Sequence, residues 1–333
     1  MPKVKTLFFT APRKIEIREV PLPQPGEDEV LVETICSAIS AGTEMLVYRG
    51  EFPHLADSHD GLSSDLNYPL AYGYACVGVV KQTGKSVDRK WEGRLVFSFQ
   101  PHTSHFKARV ESLFPVPKSL SPESACFLPN METAVNLVQD GAPILGERAV
   151  VLGQGVIGLL TASLLGDFPL ESLTVVDAIE SRRKALHVES KKLRVDRYSP
   201  ADLPSFTSDL FDLTFELSGS PSALNTAIAL TAFSGRVVIG SWYGQKRAEI
   251  DLGGAFHRSR IRLISSQVST ISPELSGRWD KSRRFEVAWN ALERVQPERW
   301  ITHRFPLKDA DQAYQLLDEN PQQAIQVIFD HTS

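Results

Sequence analysis

Three glycines follow a short apolar strand in the middle of the chain and open a helix. Gly153, Gly155 and Gly158 form the pattern G-x-G-x-x-G within AVVLGQGVIGLL. In such a turn the first glycine permits the sharp bend, the second lets the backbone approach a pyrophosphate, and the third allows close packing of helix on strand. Free N–H groups and the positive end of the helix dipole then bind the phosphates. The alternative is a tight turn without a ligand, but the strand–turn–helix context favours a dinucleotide.

An acidic residue ends the next apolar strand. SLTVVD places Asp177 19 residues after Gly158, and a carboxylate at this spacing accepts hydrogen bonds from the ribose hydroxyls of NAD. It would repel the 2′-phosphate of NADP, whereas Arg182 and Arg183 could neutralise that phosphate or simply begin a solvated helix. The residues therefore predict a site for NAD and leave NADP possible.

The elements around these residues fall into two classes. Residues 1–120 contain short strands separated by Gly, Pro and Lys, which is typical of a small β-barrel. The polar insertion 51–67 interrupts them, and loops of this length are usually lids or pocket walls. After Ser121, strands alternate with helices, which predicts a parallel sheet covered on both faces. Pro129 is expected to break or kink the helix predicted over 121–141.

Length and composition narrow the class of protein. A chain of 333 residues is long for one core, so two domains are expected. The net charge of −4 indicates neither a nucleic acid nor an anionic membrane as partner. Three widely spaced cysteines form no CxxC metal motif and favour a reducing compartment. The sequence shows no signal-peptide core and no run near the ~20 apolar residues of a membrane helix, so the expected location is cytoplasmic.

The chain resembles the medium-chain dehydrogenase/reductase superfamily, the alcohol dehydrogenase-like proteins, over nearly its whole length. The resemblance rests on six stretches in order: EVLVETICSAISAGTE, YPLAYGYACVGVV, WEGRLVFSFQPHTSHF, LPNMETAVNLV, AVVLGQGVIG and FPLKDADQAYQLL. SAISAGTE followed by YRG is also distantly similar to the branch that contains bacteriochlorophyllide hydroxyethyl dehydrogenase.

This resemblance implies an α/β fold with two domains. It assigns 1–120 to a GroES-like β-barrel catalytic domain and 121–267 to a Rossmann domain with a parallel, doubly wound sheet. Residues 268–333 form a C-terminal segment that returns to the catalytic domain. The active site is expected in the cleft between the domains, and a homodimer is expected to form through IRLIS, 261–265. The expected cofactor-binding residues are Gly153, Gly155, Val156, Ile157, Gly158, Asp177, Arg182, Ser218, Gly219, Ser241, Trp242 and Ser266.

The sequence departs from the family at the catalytic zinc. Zinc-binding members carry a cysteine and a Gly-His-Glu motif where this chain has Ser40 and Gly73-Tyr74-Ala75, and their four-cysteine structural zinc lobe is missing. Only Cys126 could supply the third ligand. Because a catalytic zinc needs about three protein ligands, no metal is expected. The other metal candidates are expected to be solvated or satisfied histidines: His54, His59, His102 and His105.

Hydroxyl groups at the former ligand positions suggest how the chemistry could proceed without a metal. Hydride transfer at a carbonyl carbon builds negative charge on the oxygen, which zinc stabilises as a Lewis acid. Without zinc, hydrogen-bond donors must be aimed at that oxygen. The hypothesis makes Tyr74 the donor or acid, with Thr43 and Ser40 as a hydroxyl relay and Glu44 orienting the turn. The alternative is that Tyr74 only fills the space of the metal.

Together these features predict a zinc-independent oxidoreductase that transfers a hydride between NAD(H) and an alcohol/ketone pair of a small-molecule substrate. Two alternatives stay open: an NADPH-dependent enone or quinone reductase, and a non-catalytic dinucleotide-binding protein. The residues do not specify the substrate or the direction of reaction. Trp279, Arg283 and Arg284 are expected at a solvated helix start, although they could also meet an acidic substrate.

Overall fold

The computed structural model describes residues 3–22, 24–52, 66–188, 193–203 and 210–332. Most of the predicted insertion, with His54 and His59, lies outside these ranges. The strands are β1 (Lys3–Ala11), β2 (Lys14–Pro21), β3 (Glu29–Ala38), β4 (Leu70–Ala71), β5 (Cys76–Thr83), β6 (Leu95–Ser98), β7 (His105–Arg109), β8 (Phe114–Pro115), β9 (Arg148–Leu152), β10 (Ser172–Val176), β11 (Arg194–Tyr198), β12 (Phe211–Glu216), β13 (Thr231–Ile239), β14 (Arg262–Ser265), β15 (Ile301–Pro306) and β16 (Gln326–Asp330). The α-helices are α1 (Thr43–Arg49), α2 (Pro122–Ala125), α3 (Leu128–Gly141), α4 (Val156–Leu165), α5 (Glu180–Ala185), α6 (Ala223–Leu230), α7 (Lys281–Val295) and α8 (Ala310–Glu319). Within the described ranges, none of the helices combines the length and the apolar character that crossing a membrane requires.

One compact unit combines the two ends of the chain, Met1–Pro129 and Leu292–Ser333. Its larger sheet has the order β15-β16-β3-β5-β6-β8, with β7 also paired to β3, and a smaller sheet has the order β2-β1-β4. Strand β3 is mostly buried, and its alternate valines pack with Phe106 and Val96 from neighbouring strands. This unit is the GroES-like β-barrel domain.

The second unit, Asn130–Ala291, is built on a six-stranded parallel sheet with the order β11-β10-β9-β12-β13-β14. The central strands are buried, as expected when helices cover both faces of a parallel sheet. The chain reverses direction across the sheet between β9 and β12, which makes the carboxyl ends of these two strands the switch point of a Rossmann fold. The glycine turn follows β9 and therefore lies at that point.

The helix predicted over 121–141 is broken at Cys126 and Phe127, before Pro129. Ser121 Oγ accepts a hydrogen bond from Ser124 N–H and begins α2, which ends at Ala125. Helix α3 then starts at Leu128, so Pro129 occupies its first turn, where its missing N–H costs no hydrogen bond.

Arg284 is fully buried, so the expectation of a solvated helix start is wrong for this residue. It donates hydrogen bonds to Glu132 Oε1 at 3.1 Å and to the side-chain oxygen of Asn136, and it also reaches the backbone carbonyls of Val268 and Thr270. These bonds attach the chain after β14 to α3. They make the segment after β14 part of the compact unit Asn130–Ala291.

Arg236 provides a second buried anchor in the same unit. Its guanidinium binds both carboxylate oxygens of Glu147 at 2.7 Å and the carbonyl oxygens of Gly141 and Ala142. Arg236→Leu should lower the free energy of unfolding by about 3–5 kcal/mol, because it leaves Glu147 and two carbonyls without their partner. Urea denaturation would measure this change.

Arg194 supplies the matched control for Arg236, since its ion pair with Asp196 is solvent-exposed. Arg194→Leu should change the free energy of unfolding by no more than about 1 kcal/mol. Equal effects of the two substitutions would show that the Arg236 cluster contributes no more than a surface pair.

Candidate active site

The glycine turn after β9 is shaped for an anion. Gly153 has a φ of 95°, which residues with side chains rarely adopt, and a Cβ on Gly158 would lie 1.9 Å from the Gly153 carbonyl oxygen. A Cβ on Gly155, in contrast, would meet no atom of the described chain within 4 Å. Gly155 is the N-cap of α4 and no side chain caps that helix, so the first N–H groups, beginning at Val156 and Ile157, remain available. This turn fits a pyrophosphate.

The Asp177 carboxylate is held rigidly beside this turn. Its Oδ2 accepts a hydrogen bond from Gln154 N–H and its Oδ1 accepts one from Ile179 N–H, each at 2.7 Å. Each carboxylate oxygen can accept a second hydrogen bond, so the group can still bind two ribose hydroxyls. Arg183 donates to the carbonyl oxygen of Asp177, and burial lowers the pKa of Arg182 although the charge of Asp177 opposes this. The predicted ribose site thus contains a negatively charged carboxylate, Asp177, and two positively charged guanidinium groups, Arg182 and Arg183.

Asp177→Asn should weaken NADH binding about tenfold, the equivalent of roughly 1.4 kcal/mol, and shift the preference towards NADPH. The substitution removes the charge that binds ribose hydroxyls and repels a 2′-phosphate. Isothermal titration calorimetry with both dinucleotides measures the ratio. Asp196→Asn, on the neighbouring strand β11, is the control and should leave both affinities unchanged. An unaltered NADH/NADPH ratio in Asp177→Asn would remove Asp177 from the ribose site.

Glu216, at the end of β12, joins the two loops that follow β12 and β13. Its buried carboxylate accepts hydrogen bonds from the backbone N–H and hydroxyl of Ser218 and from the hydroxyl of Tyr243. Ser241 Oγ accepts a hydrogen bond from Gly219 N–H at 2.9 Å. Three predicted cofactor residues, Ser218, Gly219 and Ser241, are therefore linked at one edge of the sheet.

The glycine turn packs directly against this linked pair of loops. A Cβ on Gly153 would lie 2.5 Å from the Leu217 carbonyl oxygen and 2.7 Å from Ser218 Cα. Sequence reasoning missed Glu216, although the available signal was the same as for Asp177: a lone carboxylate at the carboxyl end of an apolar strand. Trp242 follows Ser241 and is 39% exposed, and its contact with a cofactor stays a prediction.

Ser266 follows β14, but its hydroxyl is engaged with α3. It donates to Asp140 Oδ2 at 2.6 Å and accepts from Asn136 Nδ2 at 2.8 Å. Burial raises the pKa of the Asp140 carboxyl, against the hydrogen bond from Ser266. The Ser266 side chain therefore anchors the end of β14, and its cofactor role stays a prediction.

The predicted catalytic hydroxyls lie together in the GroES-like unit. The side chains of Ser40 and Thr43 lie near the Tyr74 hydroxyl and lower its pKa. Thr43 N–H donates to Ser40 Oγ at 3.3 Å, and Ser40 N–H donates to Glu44 Oε1 at 2.9 Å, so Glu44 orients this turn. Burial and then the charge of Glu44 raise the pKa of Tyr74 to about 12, although its two hydroxyl partners lower it. Tyr74 is therefore a protonated hydrogen-bond donor at neutral pH.

The residues at the former ligand positions do not fit a catalytic zinc. Ser40 and Tyr74 offer neutral hydroxyls, whereas zinc in proteins prefers thiolate, imidazole and carboxylate. Cys126 Sγ lies 3.4 Å from Cys36 Sγ, and burial raises the pKa of the Cys126 thiol well above its ordinary value. Over the ranges that the structure describes, no three His, Cys, Asp or Glu side chains are grouped to hold a metal ion. We therefore assign no step to a metal.

Two histidines expected to be satisfied or solvated differ in their surroundings. His102 is fully buried, with Nε2 2.8 Å from Glu44 Oε2 and Nδ1 2.7 Å from Ser37 Oγ. His105 is half-buried with a lowered pKa, mainly because of burial, and its Nδ1 lies 3.2 Å from Ser104 Oγ. His102 is thus a satisfied core histidine that touches the predicted catalytic turn.

Curated proteins match the chain over nearly its whole length. The Escherichia coli K12 starvation-sensing protein RspB is 19% identical over 362 residues, which cover 98% of this chain and 99% of RspB. An L-threonine 3-dehydrogenase from Xanthomonas oryzae pv. oryzae is 22% identical over 339 residues, which cover 91% and 93% of the two chains. The matched proteins thus align with both the GroES-like unit and the Rossmann unit. Over nearly its whole length the chain is similar to enzymes of the medium-chain dehydrogenase/reductase superfamily.

Solved structures agree with the fold of this dehydrogenase/reductase. RspB from Escherichia coli CFT073, in complex with NADH, superimposes with a TM-score of 0.78 at 18% identity and covers 98% of this chain and 99% of its own. The 2R,3R-butanediol dehydrogenase of Bacillus subtilis gives 0.78 at 17% identity, with the same coverage. A Sinorhizobium meliloti 1021 protein described as a zinc-binding dehydrogenase, bound to NADP, gives 0.76 at 18% and covers 99% and 100%. No protein-family model matches the chain.

Proposed function

We propose that this dehydrogenase/reductase is a zinc-independent enzyme that transfers a hydride between a nicotinamide dinucleotide and an alcohol/ketone pair. The oxidoreductase class is supported by relatives that are dehydrogenases by name. The metal-free chemistry is supported by one observation above all: Tyr74, Ser40 and Thr43 lie near one another at the positions where zinc-binding members of the superfamily carry ligands.

The Rossmann unit supplies the residues that would hold the dinucleotide. The open space at Gly155 and the uncapped N-terminus of α4 suit the pyrophosphate, and Asp177 suits the ribose hydroxyls of NAD. Relatives bound to NADH and to NADP support either dinucleotide, and the rigidly held Asp177 favours NAD. When bound, the nicotinamide supplies or accepts the hydride.

The GroES-like unit supplies the proton chemistry of the proposal. As a hydride reaches the carbonyl carbon, negative charge develops on the oxygen, and the Tyr74 hydroxyl stabilises it by donating a hydrogen bond. The proton that completes the alcohol comes from Tyr74, which in turn receives one through Ser40 or Thr43. In the oxidation direction the same hydroxyls carry the proton away from the alcohol.

Three measurements test the proposal against its alternatives. Calorimetry should show NADH binding, NADH oxidation should accompany reduction of at least one member of a panel of small ketones and aldehydes, and metal analysis of the active protein should find less than stoichiometric zinc. A product with a reduced C=C bond and an intact carbonyl would establish the enone reductase instead. Dinucleotide binding without turnover on any carbonyl would establish the non-catalytic alternative, and zinc at one equivalent would end the metal-free mechanism.

A homodimer and a cytoplasmic location also stay proposals. Strand β14 is an edge strand of the Rossmann sheet and includes most of the predicted contact segment, IRLIS. Sedimentation velocity would decide between dimer and monomer. The cytoplasmic prediction agrees with three cysteines that are free and buried, and fractionation of cells would test it.

A further inference from the structure

His102 lies against the backbone that carries Tyr74. Gly73, the residue before Tyr74, has a φ of 128°, and a Cβ there would lie 2.9 Å from His102 Cδ2 and 3.0 Å from His102 Nε2. The His102 backbone N–H also donates to the Tyr72 carbonyl oxygen at 3.4 Å. The imidazole therefore occupies the volume that a side chain at position 73 would need. The path of the chain into Tyr74 depends on this ring.

The His102 ring also contacts Glu44, which holds the turn that carries Ser40 and Thr43. Its Nε2 lies 2.8 Å from Glu44 Oε2, while Glu44 Oε1 accepts the Ser40 N–H at 2.9 Å. Tyr314 donates a second hydrogen bond to Glu44 Oε2 at 2.7 Å. Glu44, His102 and Tyr314 are each 0% exposed, so this cluster is rigidly enclosed. One imidazole thus connects the segment that carries Tyr74, between β4 and β5, with the turn of Ser40.

The other face of the His102 ring is fixed as well. Nδ1 lies 2.7 Å from Ser37 Oγ, and Ser37 Oγ lies 2.9 Å from His331 Nε2. When Nε2 donates to the Glu44 carboxylate, the neutral form of the His102 ring accepts the Ser37 hydroxyl proton on Nδ1, and His331 donates from Nε2 to Ser37. Burial lowers the pKa of His331 to about 3, so this second ring is neutral near pH 7.

Glu44, His102 and Ser37 have the residue types of a nucleophilic triad, but their burial gives them another role. All three side chains are fully buried, and Ser37 Oγ is occupied on both sides by histidine nitrogens. A nucleophile must meet its substrate, and this one cannot. The three groups therefore act on each other and on the segments they join.

We propose that His102 is a positioning residue that fixes the Tyr74 hydroxyl, by packing against Gly73 and by holding Glu44 and through it the turn of Ser40. Its effect on turnover rests on the function proposed above, whereas its effect on the placement of Tyr74 does not. Two measurements separate these two claims.

The first measurement follows Tyr74 directly, without a substrate. The chain has seven tyrosines, and in protein labelled with ¹³C at tyrosine Cζ, Tyr74→Phe assigns the Tyr74 signal. His102→Asn should move or split that signal, because an asparagine amide is too short to bond Glu44 from the position of Nε2. His102→Gln, whose amide nitrogen can approach that position, should move it less. The control His303→Ala, at a partly exposed histidine in β15, should leave it in place.

The second measurement uses the carbonyl substrate on which the panel gives the highest kcat/KM. His102→Asn should lower kcat about tenfold or more, with His102→Gln retaining most of the rate and NADH affinity unchanged in both. In a Tyr74→Phe background, the same His102→Asn substitution should change kcat less than about twofold, since the hydroxyl it positions is gone. A residue that only stabilised the fold would lower kcat equally in both backgrounds.

Each outcome decides a different claim. A Tyr74 signal unmoved by His102→Asn, or losses that add in the double variant, would overturn the positioning role. A moved signal together with an unchanged kcat in Tyr74→Phe would keep the positioning role and discard the mechanism proposed for Tyr74. Should His102→Asn fail to fold, Glu44→Gln keeps the side-chain volume but cannot accept both from Ser40 N–H and from Tyr314, because one end of its amide is a donor. It should move the Tyr74 signal, and an unmoved signal would again overturn the proposal.

Discussion

Tyr74→Phe should lower kcat by about 10²–10³ while the dissociation constant for NADH stays unchanged. The substitution removes one hydroxyl and leaves the ring, which packs with Tyr72 in an edge-to-face contact at 6.4 Å between centroids. Only the proposed donor to the developing alkoxide is lost, and the residues proposed to bind the dinucleotide belong to the other compact unit. Steady-state NADH oxidation with the best carbonyl of the panel gives kcat, and calorimetry gives the dissociation constant.

Tyr68→Phe is the matched control for Tyr74→Phe, because it removes a hydroxyl from the same unit. The Tyr68 hydroxyl donates to the Val47 carbonyl oxygen, so its loss should lower thermal stability slightly and leave kcat unchanged. If Tyr74→Phe and Tyr68→Phe gave the same kcat as the wild-type protein, Tyr74 would be a space-filling residue at the position of the absent zinc ligand.

The protonation state of Tyr74 adds a pH signature to this prediction. Burial raises the pKa of Tyr74 to about 12, so its ionised fraction near pH 7 is on the order of 10⁻⁵. A donor that stays protonated gives a kcat for reduction without a tyrosine titration between about pH 6 and pH 9. A rise in kcat with pH in this range that disappears in Tyr74→Phe would show instead that the phenolate acts as a base.

Most of the helices and strands could be predicted from the local pattern of apolar residues. The main error in these predictions is at a segment whose structure depends on pairing with another strand. The pattern of the apolar run SALNTAIALTAF predicts a single helix over 222–233, yet α6 ends at Leu230 and Thr231 already begins β13. Thr231 pairs with Phe211 across the sheet, and its hydroxyl contacts that of Thr214 at 2.8 Å. Pairing with a strand distant in sequence outweighed helix periodicity, and no window of the sequence contains that partner.

The residues of the candidate site also fall into two groups: those that local sequence patterns predict and those that they do not. The glycine turn and Asp177 could be predicted from the sequence because proteins of this fold bind phosphate and ribose with residues at a fixed spacing along the chain. The positioning role proposed for His102 could not be predicted from the sequence, because its partners Glu44 and Ser37 are 58 and 65 residues away along the chain. Glu216 and Tyr243 are likewise separated by 27 residues. Groups that only orient other groups leave no spacing pattern, so they emerge once the strands are assembled.

Gly155→Val should weaken NADH binding by about 10²-fold or more without loss of thermal stability. The valine Cβ would meet no described atom of the protein within 4 Å, and the φ of −68° at this position suits any residue. The branched side chain would instead occupy the space where the pyrophosphate approaches the N–H groups of α4. Losing one or two charge-assisted hydrogen bonds, at about 1.5–3 kcal/mol each, accounts for the expected change in affinity.

Gly158→Ala is the contrasting variant, because the same turn demands glycine there for internal reasons. Its Cβ would lie 1.9 Å from the Gly153 carbonyl oxygen, so the melting temperature should fall with or without dinucleotide. Gly155→Val tests whether the space beside Gly155 is needed for the ligand and not for packing of the protein. A stable variant with weakened NADH binding would locate the pyrophosphate at the N-terminus of α4. Wild-type affinity in Gly155→Val would place the dinucleotide elsewhere. Asp177, Ser218 and Ser241 would then have no shared ligand, and the hydride chemistry assigned to Tyr74 would lose its second reactant.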